Sequence, residues 1–301
     1  LAGSSAASDV YKRQKYLCEP RKSRLFFMKN LIGIQGIIGS FHHIVTKQYF
    51  ENKAAIKEFI SFDDLVESLV NEKCNYGVMA LENSIAGSLI PNYALIDENN
   101  LHIVGEKYLD IQHNLICLEG QDINDIKEVH SHPMALLQCK DFFKKYPHIK
   151  LVEDKDTAQV AKRISEHKLQ CIAAIASDLA ADLYSLKIIK KSIQTIRHNE
   201  TRFVILQKFP NNKIENISKA SIKFELDHKR GSLAAILNVV SDCKLNLTKI
   251  QSLPKIDTPW VYSFFIDITF DEFRDYEKAK SIMSIMAKDF KILGEYENRK
   301  K

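Results

Sequence analysis

Nothing in this chain has the spacing of a metal centre or a disulfide framework. Its six cysteines, Cys18, Cys74, Cys117, Cys139, Cys171 and Cys243, form no CxxC pair and no Cys/His cluster, so a reducing, cytoplasmic setting is expected. Phosphate-cradling signatures are missing too, since neither GxGxxG nor GK[ST] occurs. No apolar run approaches the ~20 residues of a bilayer span, and residues 25–27 are too short for a signal-peptide core. A membrane is therefore not expected as a partner. Excess charge is also absent: the formal net charge of +5 comes mostly from residues 1–27, which hold six Lys/Arg against two Asp/Glu, and no basic run follows Lys29. That leaves no electrostatic case for nucleic acid.

What the chain does have is length and apolar content. Its 301 residues are 45% hydrophobic, enough for about two domains. Residues 1–27 show neither helical nor strand periodicity. The stretch 4–14 resembles a translated adapter, a transit peptide is the competing reading, and Met28 is the expected start. From Leu31 onward, short apolar runs alternate with amphipathic helical stretches, the pattern of an α/β layer fold. Strands are expected at 31–34, 76–81, 102–108, 114–118, 128–131, 171–176 and 203–207. Ligands of open α/β sheets bind beyond the carboxyl ends of strands, which directs attention to Glu82, Ser131 and Ser177. Residues 210–218 are polar and read as a linker. Beyond them the pattern restarts in the order βαββαβ, that of a ferredoxin-like module of about 80 residues.

Four clusters have the composition of a site. Glu82-Asn83-Ser84-Ile85-Ala86-Gly87 places a carboxylate, an amide, a hydroxyl and a permissive glycine after an apolar strand. Ser131-His132-Pro133 opens a helix, with His132 as N-cap and Gln138 on the same face as Ser131. The N-terminus of that helix could seat a carboxylate. Asn199-Glu200-Thr201-Arg202-Phe203 supplies an amide, a hydroxyl and a bidentate donor. Gly36 to His42 is a glycine-spaced turn that includes Ser40. Taken alone, the first two also read as ordinary polar or capping turns and the third as a surface turn with an exposed Arg.

Together, in their order and wording, they resemble the prephenate dehydratase family from about Leu31 to Glu297. The family's Gly-Pro-x-Gly-Ser/Thr-Phe corresponds to Gly36 to Phe41, its Glu-Asn-Ser-x-x-Gly to Glu82 to Gly87, its Ser-His-Pro with a later Gln-Cys to Ser131 to Cys139. Its Asn-x-Thr-Arg-Phe is intact at Asn199 to Phe203. In the C-terminal module, Gly231-Ser232-Leu233 and Asn246-Leu247-Thr248 with Gln251-Ser252-Leu253-Pro254 resemble the effector motifs of an ACT domain. Ile37, Met134, Thr195, Gln251 and Leu253 depart from the family pattern. The last two replace charged residues near the effector site.

The resemblance implies a two-lobed, periplasmic-binding-protein-like (type II) α/β catalytic domain over 28–209, a linker over 210–219 and an ACT domain over 220–299. It implies conversion of prephenate to phenylpyruvate, water and CO2, on the route to phenylalanine, without metal or organic cofactor. Thr201 is then the donor to the leaving hydroxyl, with Asn83, Gln138 and Glu82 around it and a protonated Glu82 as its support. Arg202 and the Pro133 helix are candidates for the substrate carboxylates. Ser40, Ser84, Gly87, Ser131, Asn199 and Phe203 complete the expected substrate site. Gly231, Ser232, Leu233, Asn246, Gln251, Ser252 and Pro254 are the expected L-phenylalanine site. A homodimer or homotetramer is implied, and a monofunctional chain, since 27 residues cannot form the chorismate mutase bundle of some relatives. Arogenate is the alternative substrate. A non-catalytic amino-acid sensor is the alternative from another class, and it has no need of Glu82, Asn83, Gln138 and Thr201 together.

Overall fold

The computed structural model describes residues 30–51, 54–210, 215–227, 229–255 and 261–300. The expected leader, 1–27, lies outside them, as do 211–214 of the expected linker. The first lobe begins with β1 (Leu31–Gln35), α1 (Phe41–Tyr49), β2 (Ala55–Phe59), α2 (Phe62–Val70), β3 (Tyr76–Asn83), β4 (Gly87–Ser88), α3 (Ile90–Glu98) and β5 (His102–Asp110). The chain then crosses to the second lobe: β6 (Asn114–Cys117), β7 (Glu128–Ser131), α4 (Pro133–Phe143), β8 (Lys150–Glu153), α5 (Thr157–His167), β9 (Ile172–Ala176), α6 (Asp178–Leu183) and β10 (Lys187–Lys190). It returns to the first lobe as β11 (Glu200–Gln207).

The first sheet has the order β2-β1-β3-β11-β5, with β4 on β3, and the second β10-β6-β9-β7-β8. Each lobe buries helices against both faces of its sheet. The fully buried Ile32, Ile34, Val78 and Ile205 anchor one side of the first, and Leu65, Leu69, Met79 and Leu81 the other. Local chemistry starts the helices where the sequence allows: Asp156 Oδ1 accepts from Gln159 N at 2.8 Å, and Ser177 Oγ from Ala180 N at 3.0 Å. The seven expected strands are all present. The strands that sequence periodicity misses are β2, β8 and β10, which lie at sheet edges, together with the two-residue β4. Two of the edge strands are four residues long and carry charge at both ends, Lys150/Glu153 and Lys187/Lys190. Short, charged edges resist mispairing but carry little apolar signal.

The C-terminal module is β12 (Lys219–Glu225), α7 (Ser232–Asp242), β13 (Asn246–Pro254), β14 (Tyr262–Thr269), α8 (Phe273–Met286) and β15 (Lys288–Tyr296), in the sheet order β13-β14-β12-β15. This is the expected βαββαβ order. One face of its sheet is closed by α7 and α8 over Ile222, Phe224, Ile236, Ile268 and Tyr276. The other face packs on the first lobe, where Phe265, Leu293 and Tyr296 join Tyr93, Ile103 and Leu206 in one core. The approach is close enough that a Cβ on Gly294 would lie 2.1 Å from the Ile103 carbonyl oxygen. Only glycine fits there.

Candidate active site

The centre of the site is the antiparallel pair β3 and β11. Side chains of a strand alternate between its faces, so Thr201 and Phe203 share one face of β11 and Arg202 takes the other. On β3 the register breaks once. Thr201 faces Asn83 and Arg202 faces Glu82, but Phe203 faces Ala80, so Leu81 is an extra residue. The bulge puts Ala80 and Asn83, three positions apart, on the same face as Thr201. That face is one wall of an interlobe cavity of about 310 Å³. The second lobe contributes Gln138 and His132 from α4, and Lys155, Asp156 and Thr157 from the start of α5.

Hydrogen bonds tie the walls together. Asn83 Nδ2 donates to Thr201 Oγ1 at 2.8 Å and to Asn199 Oδ1 at 2.7 Å. Asn199 Nδ2 donates to Gln138 Oε1 at 2.9 Å, and His113 Nε2 lies 2.8 Å from the same oxygen. Asn199 is wholly buried, and Asn83 and Thr201 nearly so. The cavity holds two imidazoles that sequence inspection did not single out. Burial pushes His42 down to about 4, its Nε2 shielded between Phe62 and Phe203. Burial likewise lowers His113, against the opposing hydrogen bond to Gln138. Both are therefore neutral rings near pH 7.

Lys155 and Asp156 were also missed, because β8, the strand that delivers them, gave no periodic signal. Burial raises the Asp156 carboxyl above the usual range despite its bonds to the Gln159 and Ala158 amides. The signal that would have found it is the Asp-Thr helix cap itself.

Several expected site residues lie elsewhere. Glu82 is on the reverse face of β3, where Oε1 sits 2.8 Å from Lys249 Nζ of β13. It therefore cannot support the Thr201 hydroxyl. Arg202 also points away from the cleft and is buried under the C-terminal module. Its Nε donates to Glu106 Oε2 at 2.7 Å, its Nη1 to Asp267 and its Nη2 to Tyr296 Oη at 2.7 Å. It cannot reach a substrate carboxylate. Ser131 is fully buried and donates to the Ile175 carbonyl at 2.8 Å. Ser84 Oγ accepts from Glu200 N at 2.9 Å and, with Glu82, lines a second, polar cavity of about 150 Å³ against the C-terminal module. The α4 N-terminus is not open to an anion, since Met134 N donates to His132 Nδ1 and Ala135 N to the His132 carbonyl. Gly87 takes φ +83 in the turn that pairs β4 with Asn83. Ser40 and Phe203 do line the cleft; Ser40 also caps α1 by accepting from His43 N.

The expected effector residues lie on α7 and β13. Ser232 and Leu233 line a pocket of about 180 Å³ with Asp227, Lys229, Tyr262 and Phe264, next to Gly231 at the left-handed cap of α7. Asn246, Gln251, Ser252 and Pro254 lie instead along β13, the edge strand of the sheet. Of these, Ser252 and Pro254 pair with Phe264 and Tyr262, which line that pocket, while Asn246 and Gln251 pair with Thr269 and Phe265.

The interdomain ion network carries its own pH signature. Burial opposes charge on Asp267, but Arg202 and Lys219 outweigh it, with help from the Ser221 hydroxyl, and hold the carboxyl below the usual range. A depressed native value means that the stabilisation is present above ordinary carboxylate titration and is lost as pH falls through the native value. Urea midpoints are expected to drop as pH falls below about 4, the ordinary aspartate value, and on through the native value, and Asp267→Asn should flatten that slope. An equal slope in the variant would remove Asp267 from the acid response.

Among the described residues no helix is long and apolar enough to cross a membrane, and no three His, Cys, Asp or Glu side chains converge as metal ligands. The prephenate dehydratase family model matches residues 32–211. Among curated relatives, prephenate dehydratase of Methanocaldococcus jannaschii is 35% identical over 268 residues, which are 86% of this chain and 94% of that protein. The bifunctional chorismate mutase/prephenate dehydratase of Buchnera aphidicola from Acyrthosiphon pisum is 32% identical over 271 residues, 87% of this chain and 69% of that one. The solved structure of prephenate dehydratase in complex with L-Phe from Arthrobacter aurescens superposes with a TM-score of 0.78 at 20% identity, covering 89% of this chain and 90% of that one. With more than half of its length matched by the family model, and one relative aligned over nearly all of both proteins, this chain belongs to the prephenate dehydratase family.

Proposed function

We propose that the interlobe cleft converts prephenate to phenylpyruvate, water and CO2, and that L-phenylalanine regulates it through the C-terminal module. Aromatisation drives the reaction, so the site mainly has to orient the substrate and assist departure of the ring hydroxyl. The observation that carries this reading is the bond from Asn83 Nδ2 to Thr201 Oγ1. With an acceptor site on Thr201 filled by the amide, the threonine proton is free for a leaving oxygen. A neutral threonine is a weak acid, so it acts as a hydrogen-bond donor to developing charge.

The rest of the cleft supports the same reading. Phe41, Ala80, Leu89, Ile111 and Phe203 supply an apolar lining that favours loss of a desolvated ring carboxylate as CO2. Lys155 is the one Lys or Arg lining the cleft among the described residues, and it is our candidate for the side-chain carboxylate in place of Arg202. Asp156 is the one Asp or Glu lining the cleft among the described residues.

The Arthrobacter relative's complex with L-Phe supports the effector. The place of β13 at an edge of the module's sheet supports a homodimer or homotetramer in which a second copy packs along that edge. The described cysteines are all free, which supports a reducing, cytoplasmic setting.

The test is phenylpyruvate formation from prephenate by the purified chain, with and without L-phenylalanine. Production suppressed by L-phenylalanine is expected. Unsuppressed production would assign lost control to Gln251 and Leu253. Product from arogenate alone would change the substrate, and none above the spontaneous rate from either compound would sink the reading.

A further inference from the structure

We infer that His113 is a positioning residue of this cleft: as the neutral Nε2–H tautomer it fixes the orientation of the Gln138 amide, so that the Gln138 NH2 group faces the substrate. The direction of the whole hydrogen-bond chain follows from two groups that cannot reverse. Ile85 N and Ala86 N both donate to Asn83 Oδ1, at 3.0 and 2.8 Å. An amide carbonyl oxygen has two lone pairs, so this oxygen is saturated and the Asn83 side chain has one orientation. Its NH2 group must then supply both hydrogens, one to Thr201 Oγ1 and one to Asn199 Oδ1.

Asn199 is oriented in turn. With Oδ1 accepting from Asn83, its NH2 group faces α4 and donates to Gln138 Oε1. The oxygen of Gln138 is thereby identified, and it also lies 2.8 Å from His113 Nε2. Two acceptors cannot share that contact, so His113 Nε2 carries the proton. His113 Nδ1 is then a bare lone pair, which agrees with its having no protein partner despite burial. An unpaired acceptor costs less than an unpaired N–H.

Both lone pairs of Gln138 Oε1 are consumed, one by Asn199 and one by His113. Its NH2 group remains for the cleft, beside the Thr201 proton. The site therefore presents donors where a leaving hydroxyl has to be stabilised. His113 itself is held by Gln194 Oε1, which accepts from His113 N at 3.0 Å, and by its own carbonyl, which accepts from Ile193 N at 2.8 Å. Those bonds join the two chain crossings between the lobes. Without the imidazole N–H, Gln138 Oε1 keeps one partner and the amide can turn its oxygen toward the departing oxygen, a repulsive contact.

This role rests on the dehydratase reading only where activity is measured, so two readouts are needed. The first is the long-range proton–nitrogen NMR spectrum of histidine-labelled wild-type protein, with His113 assigned by its absence in His113→Gln. A protonated Nε2 with a bare Nδ1 at neutral pH is expected; an Nδ1–H tautomer or an imidazolium overturns the inference. The second is steady-state kinetics. His113→Leu should lower kcat by ~10- to 100-fold, the scale of a misplaced group, with KM changed far less. His113→Gln, which returns a donor near the Nε2 position, should recover most of the loss. Unchanged kcat in His113→Leu, or a loss that glutamine does not reverse, overturns the role. Should His113→Leu not fold, the spectrum and His113→Gln still decide. A wild-type chain that does not turn over prephenate would sink the proposed function while leaving the tautomer to be read.

Discussion

Thr201→Ala is expected to lower turnover of prephenate by ~10²- to 10³-fold, the usual cost of removing one preorganised donor to developing negative charge. Folding should suffer little. The substitution leaves one hydrogen of Asn83 Nδ2 without its partner, a penalty of about 1 kcal/mol. Thr201→Ser restores the hydroxyl and should restore most of the rate. The decisive comparison is kcat for the three proteins at matched denaturation midpoints. If alanine kept more than about a tenth of the wild-type kcat, a barrier change below ~1.4 kcal/mol, Thr201 would not be the donor, and the role would pass to Gln138 or to water.

One residue along the strand the expected result reverses: Arg202→Met should damage stability and not the chemistry directly. Arg202 is 2% exposed and is shared by Glu106 on β5, Asp267 on β14 and Tyr296 on β15. Lys219 provides the second buried cation, with Nζ 2.8 Å from Glu106 Oε2. Two cations thus balance two carboxylates in the seam between the first lobe and the C-terminal module. Removing one cation leaves an uncompensated buried carboxylate, which costs roughly 3–5 kcal/mol out of a total of about 5–15. Methionine keeps the apolar stem of arginine and omits the guanidinium, so the loss reads the charge and its hydrogen bonds more than stem packing. A large drop in the urea midpoint is expected, partly recovered by Arg202→Met with Asp267→Asn. An unchanged midpoint would show the seam to be dispensable. Thr201 and Asn83 face the cleft while their neighbours Arg202 and Glu82 are gripped by the C-terminal module, so disturbance at this seam should also reach catalysis.

Much of this organisation is legible from residues alone. Seven strands announce themselves by apolar runs, and α4 by His132 at its cap with Pro133 at its first position. The βαββαβ order of the last 80 or so residues follows from periodicity. Asn83, Gln138, Asn199, Thr201 and Phe203 stand in motifs whose wording points to the cleft, and the structure brings them together there. Lys155, Asp156, His42 and His113 were not legible. Two follow an edge strand too short and charged to be recognised, and the two histidines look like any histidine near an apolar run until their burial is known.

The sequence by itself determined the fold class, the order of the elements and the family, because periodicity, helix caps and motif wording are local properties of the chain. It could not decide which way Glu82, Ser131 and Arg202 face. A strand offers its residues to both sides in turn, and only the bulge at Leu81 and the docking of a third sheet on the reverse face settle which side is the cleft. The same adjacency that made Arg202 look like a substrate ligand beside Thr201 sends it to the opposite side of the sheet. Tertiary structure alone converts neighbours in sequence into one group that faces the cleft and another that binds the C-terminal module.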